Sequence, residues 1–301
     1  PDWNETFEDP ENTLSLNRWN WLLSCITDNK NSVSSIWGTN MIKSYINHMT
    51  ALPNGIRSES YTVAERISNL CIFYRSIENN WTSIPNELQP VLLEMSYHLI
   101  DNLEFHNGDL TGNHIVNNAR ALIVCGYSIN QPEFVDIGKM ILLKMLPKLV
   151  DQGGFLREGS SHYQFLFSRW MLELRIVGEE NKDFELLNIL NSVLFNLIEA
   201  CKFFIITNKK SKENRISLIG DVSPDCDPNW LIDMPFSKPA QFKRKQKISN
   251  KNVGWSKLFN DWESPVNYEW DMKLQLNFSV LWTRIDFEDW IAIFHHETPK
   301  N

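Results

Sequence analysis

Apolar positions recur through the first two-thirds of the chain with the spacing of an α-helix. Leu88, Val91, Leu92, Met95, Leu99 and Leu103 fall at i, i+3, i+4 and i+7 steps, which puts them on one helix face. Val63, Ile67, Leu70, Cys71 and Tyr74 repeat the pattern. So do Phe134, Ile137, Met140, Ile141, Met145 and Leu149, and then Tyr163, Leu166, Phe167, Trp170, Leu174 and Val177. Ile115, Ala119, Leu122 and Ile123 predict a further helix, closed by Gly126. Phe184 to Ile206 reads as one long apolar helix. Short polar turns separate these segments: Pro53-Asn54-Gly55, His106-Asn107-Gly108-Asp109 and Asp151-Gln152-Gly153-Gly154. Short connections make neighbouring helices antiparallel, and each apolar face must then be buried on the next helix. Bundles, solenoids and closed toroids all meet that demand, and periodicity does not choose among them.

The pattern changes near residue 208. Asn208 to Arg215 is polar and rich in Lys and Arg, and residues 220 to 254, with many Pro, Asp, Lys and Ser, read as a long irregular segment. Leu274, Leu276, Phe278, Val280 and Trp282 then alternate as in a strand, and Trp290 to Phe294 forms a second strand candidate. The expected organisation is a helical domain over 1–210, an irregular connection over 211–254 and a strand region over 255–301. Two or three strands do not make an independent sheet. They either pack on the helices or open a β-domain of a longer protein.

Composition narrows the function classes. The chain has 301 residues, 43% of them hydrophobic, which is enough for a sizeable core and unlike a disordered chain. Its net charge is −8, which gives no basis for a nucleic-acid partner. An acidic protein can still bind an acidic polymer where cations and amides cluster locally. The 12 Trp and 17 Phe are mostly core, with an exposed subset suited to sugar faces. No apolar run reaches the roughly 20 residues of a membrane span, and no signal peptide is visible. The five cysteines are odd in number, lack a C-x-x-C pair and suggest neither a disulfide framework nor a zinc site. Cys25, Cys71, Cys125 and Cys201 sit in apolar helical patterns and read as buried, whereas Cys226 lies in a loop.

Two segments concentrate polar chemistry. One is Gly112-Asn113-His114-Ile115-Val116-Asn117-Asn118-Ala119-Arg120-Ala121-Leu122. The other is Asp151-Gln152-Gly153-Gly154-Phe155-Leu156-Arg157-Glu158-Gly159-Ser160-Ser161-His162-Tyr163. Each residue has a structural explanation: Asn113 as a helix N-cap, Gly153-Gly154 as a helix stop, Ser160 or Ser161 as a cap. Together they gather amide, imidazole, guanidinium, carboxyl and phenol groups at two helix N-termini, where backbone N–H groups favour anions. Asp221, Asp225 and Asp227 form another acidic loop that reads as a turn, and Lys243-Arg244-Lys245 reads as a solvated face.

The first segment resembles the G-N-H-x-x-x-N-A-x-A-L pattern of the heparinase II/III-like polysaccharide lyases and oligoalginate lyases. The second resembles that family's D-G-G-x-x-E-R-S-x-x-Y-H stretch through Gln152-Gly153-Gly154 and Glu158-Gly159-Ser160-Ser161-His162-Tyr163-Gln164. Trp3, Phe7, Glu11 and Leu16-Asn17-Arg18-Trp19-Asn20-Trp21, Glu65 to Leu70, and His295-His296-Glu297 extend the likeness over most of residues 1–296. The fold it implies is mainly α: an α/α toroid, an incomplete barrel of antiparallel helix pairs, followed by the first strands of an antiparallel β-sandwich.

The activity the resemblance implies is β-elimination on a uronic-acid-containing acidic polysaccharide or oligosaccharide. Asn113 and His114 would neutralise the uronate carboxylate and Tyr163 would be the acid/base. Arg157, Glu158, His162, Gln164 and Asn117 would contact substrate. The sequence departs from the pattern at Gln164 (family His), at Gly159 (family Arg) and at Asn117 (often acidic). The resemblance also implies a second catalytic His, and in many members a structural metal, from the β-sandwich beyond residue 301. No cofactor or metal is expected within the chain itself. A periplasmic or secreted bacterial protein is implied as well. Three other readings stand beside this one, among them a plain helical scaffold, against which the clustered motif weighs. An α/α-toroid glycoside hydrolase would need two carboxyls about 5–9.5 Å apart, with Glu158 and Asp221 or Asp225 as the candidates. A non-catalytic glycan-binding or polysaccharide-assembly protein would keep the fold without the chemistry.

Overall fold

A computed structural model describes residues 2–5, 7–26, 32–49, 52–106, 111–207, 214–216, 219–220, 228, 231, 247–250, 255–259, 284–286 and 289–295. The chain is mainly α, as the periodicity predicts. The helices are α1 (Pro10–Arg18), α2 (Val33–His48), α3 (Ser60–Glu78), α4 (Gln89–Asp101), α5 (His114–Ser128), α6 (Pro132–Leu149), α7 (Ser161–Asn181), α8 (Phe184–Asn191) and α9 (Leu194–Phe204). The strands are β1 (Ile205–Thr207), β2 (Asn214–Ile216), β3 (Lys247–Asn250), β4 (Trp255–Phe259), β5 (Arg284–Asp286) and β6 (Asp289–His295). The chain divides into two compact units, Pro1–Lys148 with Glu173–Leu190, and Leu149–Leu172 with Asn191–Asn301. The division falls inside α7.

In the first unit, helix starts follow local chemistry. The Asp9 carboxylate caps α1 by accepting from Glu11 N at 2.9 Å, and Pro10 takes the first helical position, where its missing N–H costs nothing. Ser32 caps α2 by accepting from Ser35 N at 3.1 Å. The packing is two-layered. α3 and α5 are buried on nearly every face and pack extensively on each other. α4, which contacts both, buries only Leu92, Met95, Ser96 and Leu99. This alternation of fully buried and half-buried helices is how an array of helix pairs hides its apolar faces. The aromatic-rich opening seals one side of α3. Trp19 and Tyr45 are buried, and the fully buried Arg66 donates to Asn17 O at 2.7 Å and Arg57 O at 2.6 Å.

Three expectations about helices need correction. α5 runs through Gly126 to Ser128 rather than stopping at it. Gly126 serves close packing instead, since a Cβ there would lie 2.6 Å from Val135 Cγ2 and 2.8 Å from Gln131 O. On α6, Met140 is exposed, because the buried face centres on Gly138, whose absent Cβ lets Ile123 of α5 approach. The segment from Phe184 to Ile206 is two helices, α8 and α9, followed by the start of β1. The break falls at Ser192-Val193, where a hydroxyl that competes for backbone bonds meets a β-branched residue. Among the described residues no single helix is long and apolar enough to cross a membrane.

In the second unit β1 pairs antiparallel with β2, in register Ile205 with Ile216. A four-stranded antiparallel sheet has the order β3-β4-β6-β5. β6 covers the strand expected over Trp290 to Phe294, and β3 lies inside the stretch read as irregular. The strand expected over Leu274 to Trp282 and the Lys243-Arg244-Lys245 run lie outside the described residues. Cys25, Cys71, Cys125 and Cys201 are buried free thiols, as their patterns predict, and Cys226 lies outside the described residues.

Gly154 is fixed by geometry. Its φ is +83°, and a Cβ would fall 2.0 Å from the Asn196 carbonyl oxygen. Gly154→Ala is expected to destabilise the second unit by at least about 1–2 kcal/mol from left-handed backbone alone, with more from displacing α9. A thermal melt of the variant within about 1 °C of the parent would contradict this.

Candidate active site

Asn113 occupies the N-cap position of α5, but its side chain makes no capping hydrogen bond. The residue is 4% exposed. The structural explanation for an Asn at this position, that it caps the helix, therefore does not apply. His114, the first helical residue, has a side chain 53% exposed, and its Nδ1 lies 2.9 Å from Glu104 Oε1. Asn118, one turn on, holds Glu104 in turn: its Nδ2 donates to Glu104 Oε2 at 3.3 Å and its Oδ1 accepts from Glu104 N at 3.2 Å. The Tyr61 ring of α3 sits 4.6 Å from the His114 ring, centroid to centroid. The Arg18 guanidinium lies 4.8 Å over Tyr61 and is held by Glu11 and by Glu59 at 3.4 Å.

Beneath this surface lies a buried ionic network. Arg120, fully buried, donates to Glu173 Oε2 at 2.6 Å, Glu65 Oε1 at 2.9 Å and Asn117 Oδ1 at 2.9 Å. Burial opposes the guanidinium's charge, but Glu173 and Glu65 more than offset it and hold its pKa above the ordinary value. Asn117, expected to contact substrate, is wholly buried in this network. It faces Arg120 because residues three apart on a helix are neighbours, so its role is to tie α5 to the ion cluster.

The second segment begins with a turn organised by Asp151, whose carboxylate accepts from Gly153 N at 2.7 Å and Phe155 N at 3.0 Å. Burial raises the Asp151 pKa, and these amides partly counter it. Ser160 caps α7, its hydroxyl accepting from Tyr163 N at 3.1 Å, and Ser161 N donates to Ile219 O at 3.0 Å. Because Ser160 does the capping, His162 and Tyr163 project half-buried from the first turn of α7, rings 5.7 Å apart and edge to face. Arg157 and Glu158 are exposed on the preceding turn. Gly159 has φ +71°, a backbone state that excludes an unstrained Arg and accounts for that departure from the lyase pattern.

Gln164, also expected at the substrate, is 1% exposed. Its Oε1 accepts from Leu156 N at 2.7 Å, and its Nε2 donates to Gly154 O at 2.9 Å and Leu197 O at 3.3 Å. Both ends of the amide are committed to pinning the 154–156 turn against α9, so Gln164 shapes the loop rather than meeting a ligand.

The structure thus groups Asn113 and His114 in the first unit, and Arg157, Glu158, His162 and Tyr163 in the second. Asp221, Asp225 and Asp227 lie outside the described residues. The sequence reading passed over Tyr61, Glu104 and Glu173, and quoted Glu65 and Arg120 without giving either a role. Glu65 and Arg120 carried a signal, being charges on helices that are apolar on several faces. Glu104 carried none, since its partner is ten residues away. Among the described residues no group of three or more His, Cys, Asp or Glu is placed to hold a metal ion. A cavity of about 330 Å³ between α2, α3 and residues 85–87 contains none of the candidate residues.

No protein-family model and no curated protein matches the chain. Solved structures similar to it include the heparinase III gene product BT4657 with methylated lysines, at 12% identity and a TM-score of 0.48, covering 65% of this chain and 35% of that one. Heparan sulfate lyase HepC from Pedobacter heparinus is similar at 16% identity and a TM-score of 0.47, covering 68% of this chain and 34% of that one. The chain spans about a third of the length of these structures.

Proposed function

We propose that the chain is the helical part of a polysaccharide lyase, an α/α toroid that cleaves a uronic-acid-containing polymer by β-elimination. Asn113 and His114 bind the uronate carboxylate, which draws charge from C5 and makes its proton acidic. Tyr163 removes that proton or protonates the departing O4. The observation that carries the reading is a half-exposed His114 at the start of α5, next to Asn113 and anchored by the Glu104 carboxylate. The start of α7 adds a half-buried Tyr163, whose backbone N–H is held by the Ser160 hydroxyl.

The test follows ultraviolet absorbance of the new C4–C5 double bond when the purified chain meets alginate, heparan sulfate or hyaluronan. Absorbance is expected to rise with one of them. Asn113→Ala is expected to lower kcat by about 10²–10³-fold, the usual effect of losing a donor on developing charge. New reducing ends without absorbance would instead mark a hydrolase. Binding without either product would mark a glycan-binding protein.

A further inference from the structure

We infer that the cavity between α2, the end of α3 and residues 85–87 is a binding site for an amino sugar, a hexose ring that carries one ammonium group. The cavity holds no residue of the proposed lyase site and does not depend on that reading. Its volume is about 330 Å³, at the lower end of the roughly 300–1,000 Å³ of small-molecule sites. That is room for a single sugar ring. The lining divides by chemistry. Ile36 of α2, Ile77 of α3 and Pro85 supply apolar wall, which matches the C–H face of a pyranose. Thr39 and Asn40 of α2 supply a hydroxyl and an amide. Both groups donate and accept hydrogen bonds, as sugar hydroxyls require of their partners.

The charges select the ligand's sign. One ammonium, Lys43, faces two carboxylates, Glu78 and Glu87, which leaves one negative charge for a ligand to balance. Lys43 Nζ lies 3.9 Å from Glu87 Oε1, too far for a hydrogen bond. Tyr74 is the buried member of the lining and reports the local field. Burial pushes its pKa up to about 12, the neighbouring Thr39 hydroxyl opposes the rise, and Glu87 and Glu78 both add to it. The negative potential of both carboxylates therefore reaches the cavity wall, where it favours a cation. The same field repels a uronate, so the cavity serves a different sugar from the one assigned to the proposed active site.

The test is an NMR titration of the whole chain, followed at its backbone amides, with glucosamine, glucose, N-acetylglucosamine and cyclohexylamine. It is run at about pH 6, where the amines are protonated and the carboxylates ionised. Glucosamine is expected to shift amides of α2, the end of α3 and residues 85–87. It is expected to bind about 2–5-fold more tightly than glucose or N-acetylglucosamine, which lack the charge, the size of one solvent-exposed ion pair. Cyclohexylamine, a cation without hydroxyls, is expected to bind more weakly than glucosamine. Glu78→Gln with Glu87→Gln changes two exposed side chains and is expected to erase the preference for glucosamine over glucose. No glucosamine shift in these segments would overturn the inference. So would equal binding of glucose and glucosamine, cyclohexylamine binding as tightly as glucosamine, or a preference that survives the double variant. None of these readings involves cleavage, so a chain inactive on every polymer would defeat the lyase reading alone, and a cavity that takes no amino sugar would defeat this inference alone.

Discussion

Tyr163→Phe is expected to lower kcat by about 10²–10⁴-fold, the range of a lost general acid–base group, with the fold unchanged. The substitution removes one oxygen. What holds the start of α7 is elsewhere: the Ser160 hydroxyl on the Tyr163 backbone N–H, the Ser161–Ile219 bonds and the Gln164 clamp on residues 154–156 and Leu197. The ring also keeps its edge-to-face contact with His162. A free phenol ionises at about pH 10, so a tyrosine that works as a base near neutrality must have its phenolate stabilised by donors or cations in the bound complex. Removing the hydroxyl should then depress kcat far more than KM, because the substrate contacts expected of Arg157 and Glu158 would remain. The check is the initial rate of double-bond absorbance for parent and variant, alongside matched circular dichroism. An unchanged rate would remove Tyr163 from the mechanism, and an altered spectrum would make it structural.

The sequence was informative where one residue type had one physical use. Leu92, Met95 and Leu99 of the α4 stripe are buried as their spacing predicts, while Val91 at its edge is half-buried, because a half-buried helix needs only one apolar face. α5 was harder to read. Its Ile115, Ala119, Leu122 and Ile123 are buried, but so are Asn117, Asn118 and Arg120. A helix enclosed on all sides has no polar face, and its polar residues must find partners inside. Those partners, Glu65 on α3 and Glu173 on α7, are 55 and 53 residues away, beyond any local pattern. The motif residues divided for the same reason. His114 and Tyr163 stand at helix starts and are partly exposed, whereas Asn113, at the start of α5, is buried. Asn117, three residues after His114, and Gln164, the residue next to Tyr163, are carried inward by the helix period of 3.6 residues.

Arg120→Ala is expected to cost about 3–5 kcal/mol, the penalty for stranding a buried charge after its partner is removed. Arg120 is fully enclosed and Glu65 is 3% exposed. Once the guanidinium is gone, Glu65 loses its hydrogen bond in a setting water does not reach. Glu173, more exposed at the side chain (21%), can turn toward solvent and contributes less. The loss falls on the extensive contact between α3 and α5, and α5 carries Asn113 and His114 at its start. Arg120→Met with Glu65→Leu and Glu173→Leu separates the two contributions. It replaces the ion cluster by apolar groups of similar size, and such replacements are often neutral or stabilising. Urea unfolding followed by circular dichroism should show the single variant strongly destabilised and the triple variant close to the parent. A single variant within about 1 kcal/mol of the parent would mean that water reaches Glu65 in solution. A triple variant as weak as the single one would mean that the network contributes by orienting α3 on α5, beyond neutralising its own charges.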